Sequence, residues 1–400
     1  MVIRRAAMAI LTAALTCLPL ASLQAQSTAL TDTERRRVLS HGPWPSPPSR
    51  DPSNRVSGQP AAIDLGERLF FDRRLSGDGG MACDWCHTPS LDWTDGFARG
   101  VGKQTVDRNT PALWNVGVNR WYGWDGAHDS LWAQSVRPLL EPREMASSAS
   151  RIAERVRADD DLACRFERVF GQPPAFMADE AVLIAAGKAL AAFQETLVSG
   201  RTPFDDFRDA LARDDREAMR RYPDDARRGL AIFMGRGNCS VCHVGPLFTN
   251  GEFADIGVPF FRPGGGVDPG RHDGIRRLQA DPFNLLGPHN DDAGGNTRLR
   301  TRHVALQHRN FGEFKVPSLR NVARTAPYMH NGSLPDLRSV VRHYSELNEE
   351  RLHADGERIL KPLRLDSGEI DDLIAFLKTL SDESPPFRRR TSVTDPACRG

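Results

Sequence analysis

Two short motifs place a pair of cysteines directly before a histidine. They are Cys83-Asp-Trp-Cys86-His87 and Cys239-Ser-Val-Cys242-His243. Two thiols one helical turn apart can add to the two vinyl groups of one porphyrin, and the adjacent histidine then lies under the iron as its proximal ligand. One zinc site built from both pairs, a disulfide or a thioredoxin-like motif would not explain why a histidine follows each pair. The sequence therefore predicts two covalently attached c-type haems.

The N-terminal residues have the pattern of a secretory signal. Arg4 and Arg5 precede an apolar stretch over residues 6–23, and Ala25 marks a cleavage site, so residues 1–25 are predicted to be a signal peptide. An uncleaved membrane anchor is the alternative interpretation. Attachment of c-type haem takes place outside the cytoplasm, which agrees with an exported chain. We expect a periplasmic protein with no membrane span after cleavage.

Composition excludes one class of partner and leaves two cysteines to explain. The 400 residues include 53 Lys and Arg and 52 Asp and Glu, so the chain has no basic excess with which to bind nucleic acid.

Four of the 7 cysteines belong to the two motifs, and Cys17 would be removed with the signal. Cys164 and Cys398 remain. In an oxidising compartment they are expected to pair as a disulfide, and two buried free thiols are the alternative.

Helical periodicity dominates the chain, and no convincing strand pattern is present, so the predicted fold class is mainly α. Apolar residues recur at helical spacing over residues 61–71, 130–140, 148–158, 162–170, 179–198, 204–212, 225–234, 334–344 and 368–380. Residues 26–58 are predicted to form an extended arm, and residues 257–314 a long loop. Each half of the chain has a helix, a cysteine-containing turn, a long loop and further helices. This duplication predicts two cytochrome c-like haem domains with long wrapping loops, over residues 26–200 and 201–400.

The second axial position of each iron decides the chemistry of a haem protein, because an open position permits peroxide chemistry and a filled one favours electron transfer. Residues 88–127, which follow the first motif, contain neither histidine nor methionine, so the first haem is expected to have an open position. Gln134 and Glu144 come next. A carboxylate there could take a proton from peroxide and return it to the leaving oxygen, and an amide could orient the peroxide. On spacing alone, a solvated surface glutamate is the alternative.

The chain resembles the bacterial di-haem cytochrome c peroxidase/MauG superfamily over nearly all of its mature length. The resemblance rests on residues 65–76, the two haem motifs, Arg108-Asn-Thr-Pro, Trp124-Asp-Gly, Gln134, Glu144-Met and residues 316–332. The His41-Gly-Pro-Trp-Pro arm and the 257–314 loop resemble the MbnH-like branch. The resemblance implies that Gln134 and Glu144 are the distal residues of the N-terminal, peroxide-reacting haem. It also implies that Trp124 lies between the haems, where an indole can relay an electron, although a core aromatic residue is the alternative.

Two departures from the classical peroxidases bear on the activity. Those enzymes carry a histidine in the loop before Arg-Asn-[ST]-Pro, which caps the N-terminal haem until reductive activation, whereas residues 101–107 contain none. Their C-terminal haem has an axial methionine, and the corresponding position here is Tyr344. The MauG-like members use tyrosine there, so Tyr344 is the expected ligand, with Met329 and His330 as alternatives. A phenolate ligand stabilises oxidised iron and lowers the reduction potential relative to a thioether.

The resemblance also implies a calcium site between the domains. Asn109, Thr325 and the carbonyl oxygen of Pro327 match the residues that hold Ca²⁺ in the family, and hard oxygen ligands are those that Ca²⁺ prefers. Ordinary turn chemistry is the alternative interpretation of these residues.

The function implied by the resemblance is that of a periplasmic di-haem oxidase of MauG/MbnH type. Hydrogen peroxide would form a high-valent di-haem state that oxidises a Trp or Tyr residue of a partner protein. One alternative is a classical peroxidase that reduces peroxide with electrons from a small cytochrome or copper protein, and Tyr344 and the missing loop histidine count against it. A second alternative is a di-haem electron carrier without catalysis, which would need neither Glu144 nor Gln134.

Overall fold

The computed structural model describes residues 31–46, 50–258, 261–262, 265–351, 359–383, 387–389 and 398. The predicted signal peptide at residues 1–25 lies outside this part of the chain. Among the described residues, no helix is long and apolar enough to cross a membrane. Helices predominate and the strands are short, which confirms the prediction of a mainly α fold.

The helices and strands have the following bounds. The α-helices are α1 Asp32–Leu39, α2 Pro60–Phe70, α3 Leu131–Leu140, α4 Ala149–Arg157, α5 Asp160–Phe170, α6 Asp179–Gln194, α7 Pro203–Ala212, α8 Arg216–Arg220, α9 Asp224–Met234, α10 Cys239–Cys242, α11 Arg271–Ala280, α12 Arg298–Arg302, α13 Leu337–Ser345 and α14 Ser367–Lys378. Short 3-10 helices cover Arg73–Leu75, Cys83–Trp85, Pro89–Leu91, Val116–Val118, Pro174–Phe176, His308–Asn310, Val322–Arg324 and Glu349–Arg351. Strands β1 Phe253–Ala254 and β2 Phe314–Lys315 pair antiparallel.

The predicted helices are confirmed to within three residues at each end, with one exception. The helix predicted over residues 179–198 ends at Gln194. The chain tightens into a turn at that point, where Thr196 N–H donates to the Phe193 carbonyl and Leu197 N–H to the Gln194 carbonyl. The apolar residue Leu197 is buried in the core without being helical, so periodicity alone extended the helix too far.

Helix α6 is the centre of the first helical cluster. Nearly all of its residues are buried and most of them are apolar, as is typical of a core helix. Helices α2 and α3 pack against it, and glycines permit the close approach. A Cβ at Gly66 of α2 would overlap the Ala189 carbonyl oxygen, and one at Gly187 of α6 would lie 2.9 Å from the Trp132 carbonyl oxygen. Helix α3, which carries Gln134, is therefore fixed directly on the core.

The second half repeats this arrangement, in agreement with the duplication seen in the sequence. Helix α9 precedes the second motif as α2 precedes the first, and α9 packs against α14. A Cβ at Gly229 of α9 would overlap the Asp372 carbonyl oxygen of α14. In each half, a glycine thus lets the helix before the cysteine motif cross closely over a later helix.

The large buried apolar residues form two principal clusters. One contains residues from Leu65 to Leu197, and the other contains Val38 and residues from Phe204 to Leu380. The predicted division into residues 26–200 and 201–400 falls between these clusters and stays a prediction. Cys164 and Cys398 form a disulfide, which is the first of the two expected states of this pair. The bond ties the end of the chain to α5.

The prediction of an extended arm over residues 26–58 is wrong in part. Helix α1 lies within it and begins with a capping box in which Thr31 and Glu34 satisfy each other's backbone N–H groups. Val38 at the end of α1 is fully buried in the second cluster, and His41 just beyond it is 1% exposed. The arm therefore packs as a helix against the second half of the protein.

The prediction of a long loop over residues 257–314 is also wrong in part, because helices α11 and α12 lie within it. Helix α11 is mostly polar, so its sequence lacks the regular spacing of apolar residues that marks the other helices. Charged contacts tie the segment to the first half: Arg108 forms two hydrogen bonds with Asp268, and His128 Nδ1 lies 3.0 Å from Asp281 Oδ2. The segment wraps the first half, as its length suggested.

Candidate functional site

A cavity of about 1140 Å³ is lined by residues of both halves of the protein. Its wall includes Cys86 and His87 of the first motif and Cys239, Cys242 and His243 of the second. Pockets for ordinary small ligands have volumes of about 300–1,000 Å³. Because the cavity exceeds that range and both motifs open onto it, it has room for a large group at each motif.

The two motif histidines have the same local geometry. His87 Nδ1 lies 3.1 Å from the Trp93 carbonyl oxygen, and His243 Nδ1 lies 2.9 Å from the Phe248 carbonyl oxygen. A carbonyl oxygen only accepts, so each Nδ1 carries the proton and each Nε2 keeps its lone pair. Burial lowers the pKa of both imidazoles, that of His243 to about 4. A neutral imidazole whose Nδ1–H is fixed by a backbone carbonyl is the usual form of an iron ligand.

The motif cysteines suit covalent attachment of a porphyrin. Burial raises the pKa of the Cys83, Cys86 and Cys239 thiols to about 12, so they are neutral in apolar surroundings. The N–H of each motif histidine donates to the carbonyl of the first cysteine, at 3.0 Å for His87 and 2.9 Å for His243. This single turn keeps each motif compact. These residues fit two covalently attached haems, held by the cysteines and by His87 and His243, and the haems would supply the redox chemistry of the site.

Gln134 and Glu144 line the same cavity as His87. The side-chain oxygen of Gln134 on α3 is buried and has no hydrogen-bond partner among the described residues. A buried acceptor left without a donor costs about 1–3 kcal/mol, so this oxygen is placed to accept a hydrogen bond from a ligand. Glu144 follows α3, and burial raises its pKa. A raised pKa brings a carboxyl group closer to the pH at which proton transfer is efficient.

The loop over residues 100–108 packs against the backbone of Glu144. Lys103 N–H donates to the Glu144 carbonyl and Gln104 N–H donates to the Arg143 carbonyl, both at 3.0 Å. Gly102 permits this approach, because a Cβ there would lie 2.6 Å from Glu144 Cα. Glu144 is therefore positioned by a loop that carries no histidine.

All three candidate axial ligands of the second haem line the cavity. Tyr344 lies on α13, and burial together with the nearby sulfurs of the second motif raises the pKa of its phenol. His330 stacks on Phe314 with ring centroids 3.5 Å apart, and its buried Nε2 has no hydrogen-bond partner in the part of the chain that the structure describes. The proximity of Tyr344 to the second cysteine pair favours it over His330 and Met329, and the ligand assignment stays a prediction.

Trp124 joins segments from both halves of the chain. Its indole N–H donates to the Asn109 carbonyl at 2.9 Å, and its own carbonyl accepts the N–H of Lys315 at 2.7 Å.

The three predicted calcium ligands, Asn109, Thr325 and Pro327, line the same cavity as Trp124. The side-chain N–H of Asn109 donates to a backbone carbonyl at 2.9 Å, so the side-chain oxygen is the group left for a cation. The calcium site stays a prediction.

Three titratable side chains in or next to the cavity wall are not predictable from the sequence pattern. His128 lines the wall and directly follows residues 88–127, which contain no histidine or methionine. Lys315 also lines the wall, and burial lowers its pKa to about 8. His41 Nε2 lies 3.1 Å from the His243 carbonyl oxygen, so the arm reaches the second motif. No periodic pattern marks these residues, because contacts distant in sequence bring them to the site.

Comparison with known proteins decides the family. A family model described as di-haem cytochrome c peroxidase matches residues 60–213. The chain is 36% identical over 326 residues to the methylamine utilization protein MauG of Methylorubrum extorquens, and the match covers 81% of this chain and 79% of that protein. The chain belongs to the di-haem cytochrome c peroxidase family.

Other relatives agree with this assignment. A cytochrome-c peroxidase, IdrP1, of Pseudomonas sp. strain SCT is 34% identical over 332 residues, which cover 81% of each chain. The crystal structure of a MauG-like protein associated with microbial copper homeostasis has a TM-score of 0.65 and 27% identity, covering 86% of this chain and 95% of that one. Membership confirms the resemblance found in the sequence and implies two c-type haems. The protein is a peroxidase-type oxidoreductase, so a carrier without catalysis is not supported.

Proposed function

We propose that the protein is a MauG-type oxidase, which uses hydrogen peroxide to oxidise a tryptophan or tyrosine side chain of a partner protein in the periplasm. The observation that carries the proposal is the position of Tyr344 on the cavity wall, beside the cysteines of the second motif. A phenolate ligand stabilises oxidised iron, whereas a methionine thioether raises the reduction potential. Tyrosine at this position therefore suits storage of oxidising equivalents better than entry of electrons.

Glu144 and Gln134 would act on peroxide at the first haem. The Glu144 carboxylate would accept a proton from one peroxide oxygen and return it to the leaving oxygen, which promotes cleavage of the O–O bond. The unpartnered Gln134 side-chain oxygen would accept a hydrogen bond from the peroxide O–H and hold it in place. His87 would hold the iron through Nε2, with its ring orientation fixed by the Trp93 carbonyl.

The substrate side chain would be oxidised at a distance from the first haem. Trp124 lies on the wall of the cavity that both motifs line and would relay an electron between the haems. Only electrons need to cross the contact with the partner, so a protein can dock at the surface without a pocket for its side chain. The partner protein would need a tryptophan or tyrosine side chain that is accessible at its docking surface.

Calcium would stabilise the junction of the two halves. Asn109 belongs to the first half, and Thr325 and Pro327 to the second, and all three line the cavity. Asn109 N–H donates to the His330 carbonyl at 2.8 Å, so the two segments are already joined at this point. Elemental analysis of the purified holoprotein would show one calcium per chain, and a chain free of calcium would contradict this part of the proposal.

A classical cytochrome c peroxidase is the second candidate function. The 34% identity to a protein named cytochrome-c peroxidase favours it. The loop that contacts Glu144 contains no histidine, so the feature that makes the classical enzymes depend on reductive activation is missing.

The two functions differ in the oxidation state that reacts with peroxide. The experiment compares the fully ferric and the half-reduced holoprotein in a stopped-flow spectrometer after addition of one equivalent of peroxide. The MauG-type proposal expects rapid spectral change of the fully ferric protein. A reaction only after half-reduction would support the classical peroxidase and contradict the proposal.

A further inference from the structure

Two tryptophans, Trp93 and Trp114, lie close to His87 of the first motif. The carbonyl oxygen of Trp93 accepts the His87 Nδ1–H at 3.1 Å, and the Trp93 indole is fully buried. The Trp93 ring meets the Trp114 ring edge to face, with centroids 6.3 Å apart. Trp114 is partly buried and lies on the wall of the cavity that also contains His87. The pair provides short steps for an electron that moves between Trp114 and the haem pocket.

Five of the other tryptophans have no carboxylate among the described residues that could take the indole proton, so they can pass an electron but are not suited to lasting oxidation. Arg271 lies over Trp121 at 4.6 Å and opposes removal of an electron. The cations over Trp44 and Trp132 are paired with Asp205 and Asp291, and these two indoles donate to the Ser199 carbonyl and the Ser53 hydroxyl. Trp85 and Trp124 donate their N–H to backbone carbonyls, which are poor proton acceptors.

Trp114 differs from the rest, because its N–H donates to a carboxylate. All the tryptophans lie within the described residues, and Trp114 alone has this contact, with Nε1 3.0 Å from Asp92 Oδ1. The buried N–H of Trp93 has no acceptor among the described residues. An indole becomes strongly acidic when it loses an electron. Asp92 can take the proton that is released at Trp114, whereas Trp93 can pass an electron but has nowhere to place a proton.

The charges around Asp92 also favour oxidation of Trp114. Asp92 accepts a hydrogen bond from Arg324 at 2.6 Å, and the same guanidinium bonds to Asp382 at 2.9 Å. Two carboxylates and one guanidinium leave the cluster with a net negative charge. The Asp382 side chain is 1% exposed, so solvent screens this charge only weakly. A negative charge beside the indole lowers the free energy needed to remove an electron.

We propose that Trp114 is an electron donor to the first haem and the residue of this chain that is oxidised when peroxide is present without a partner protein. One electron leaves Trp114 by way of Trp93, and the Nε1 proton moves to Asp92. A second electron loss and addition of water convert the indole to a hydroxyindole. The two electrons and two protons reduce one hydrogen peroxide to two water molecules, so the net reaction turns tryptophan and peroxide into hydroxytryptophan and water. The proposal rests on reaction of the ferric protein with peroxide and does not require oxidation of a partner.

The experiment treats the ferric holoprotein with stoichiometric peroxide in the absence of any partner. Freeze-quenched samples are examined by electron paramagnetic resonance for an indolyl radical, and peptide mass spectrometry locates added oxygen. The variants are Trp114→Phe, Asp92→Asn and, as a control at a tryptophan that does not line the cavity, Trp121→Phe. In the wild type, Trp85 lies within the first haem motif and is 51% exposed, so oxidation governed by accessibility would select Trp85.

We expect the added oxygen on Trp114, loss of the radical in Trp114→Phe, and no change in Trp121→Phe. In Asp92→Asn the yield of oxidised Trp114 should fall about tenfold, because the proton acceptor and its charge are removed. Oxygen on Trp85 instead of Trp114, or an unchanged yield in Asp92→Asn, would overturn the proposal. Visible spectra of the haems distinguish failure of the Trp114 proposal from failure of the proposed function. A haem that reacts with peroxide while Trp114 stays intact overturns this inference alone, and a ferric haem that does not react overturns the proposed function as well.

Discussion

Replacement of Gly102 by alanine should displace Glu144 without touching its side chain. A Cβ at position 102 would lie 2.6 Å from Glu144 Cα, whereas carbon atoms in contact are separated by about 3.5 Å. The backbone of Glu144 would therefore have to move by about 0.9 Å, since Lys103 and Gln104 hold the loop to it by two hydrogen bonds. A displacement of about 1 Å can reduce the rate of a positioned reaction by about 10²-fold.

The assay is the rate at which the ferric holoprotein reacts with peroxide, measured by stopped-flow absorbance. Gly294→Ala is the control, because Gly294 is exposed and its new Cβ would meet only the Asp292 and Asn296 side chains, at 3.3 and 3.4 Å. Haem content and melting temperature establish that each variant is folded and loaded. We expect Gly102→Ala to react at least about tenfold more slowly and Gly294→Ala to match the wild type. A Gly102→Ala protein that reacts at the wild-type rate would refute the role of this loop in positioning Glu144.

Three further predictions follow from single side chains. The rate of the peroxide reaction should rise with pH through a midpoint above the usual pKa of a glutamic acid, because burial raises the pKa of Glu144 and its carboxylate is the base. Glu144→Gln should lower the rate by about 10²-fold or more and abolish this pH dependence, and a retained dependence would contradict the assignment. Tyr344→Phe should change the visible spectrum of the second ferric haem, and an identical spectrum would exclude Tyr344 as its ligand. Burial raises the pKa of Glu195 to about 7, so the folded protein keeps a proton that the unfolded chain loses near pH 4.5, and stability should fall as pH rises between these values. Glu195→Gln should therefore raise the free energy of unfolding at pH 8 by up to about 3 kcal/mol in chemical denaturation, and a lower stability there would contradict the burial effect.

The parts of the site that sequence reasoning could predict are those encoded locally. Covalent attachment of haem needs five consecutive residues, so both motifs are visible without a fold. The core helices carry apolar residues at regular spacing, and they were placed to within a few residues. Helix α1 was missed because only Val38 of its residues is buried, although the capping box of Thr31 and Glu34 was a readable signal.

The rest of the site depends on contacts between distant segments. Lys315 and Trp124 come together because the β2 strand runs beside the residues that follow the first motif. His128 lies at the cavity, where its imidazole contacts the Asp281 carboxylate of the segment over residues 257–314. The roles of Glu144 and Gln134 rested on a family resemblance, since a glutamate on a turn has many possible surroundings until the cavity is known. Local patterns cannot specify which side chains share a cavity.

The proposed function requires that Tyr344 would hold the second haem and stabilise its oxidised iron, so that the two haems together would supply the oxidising equivalents taken from peroxide. The most direct measurement is the near-infrared absorption spectrum of the ferric holoprotein after one equivalent of peroxide, for the wild type and for Tyr344→Met. We expect a long-lived charge-resonance band in the wild type and its loss in Tyr344→Met. A wild-type protein that shows no band and reacts with peroxide only after half-reduction would contradict the proposed function.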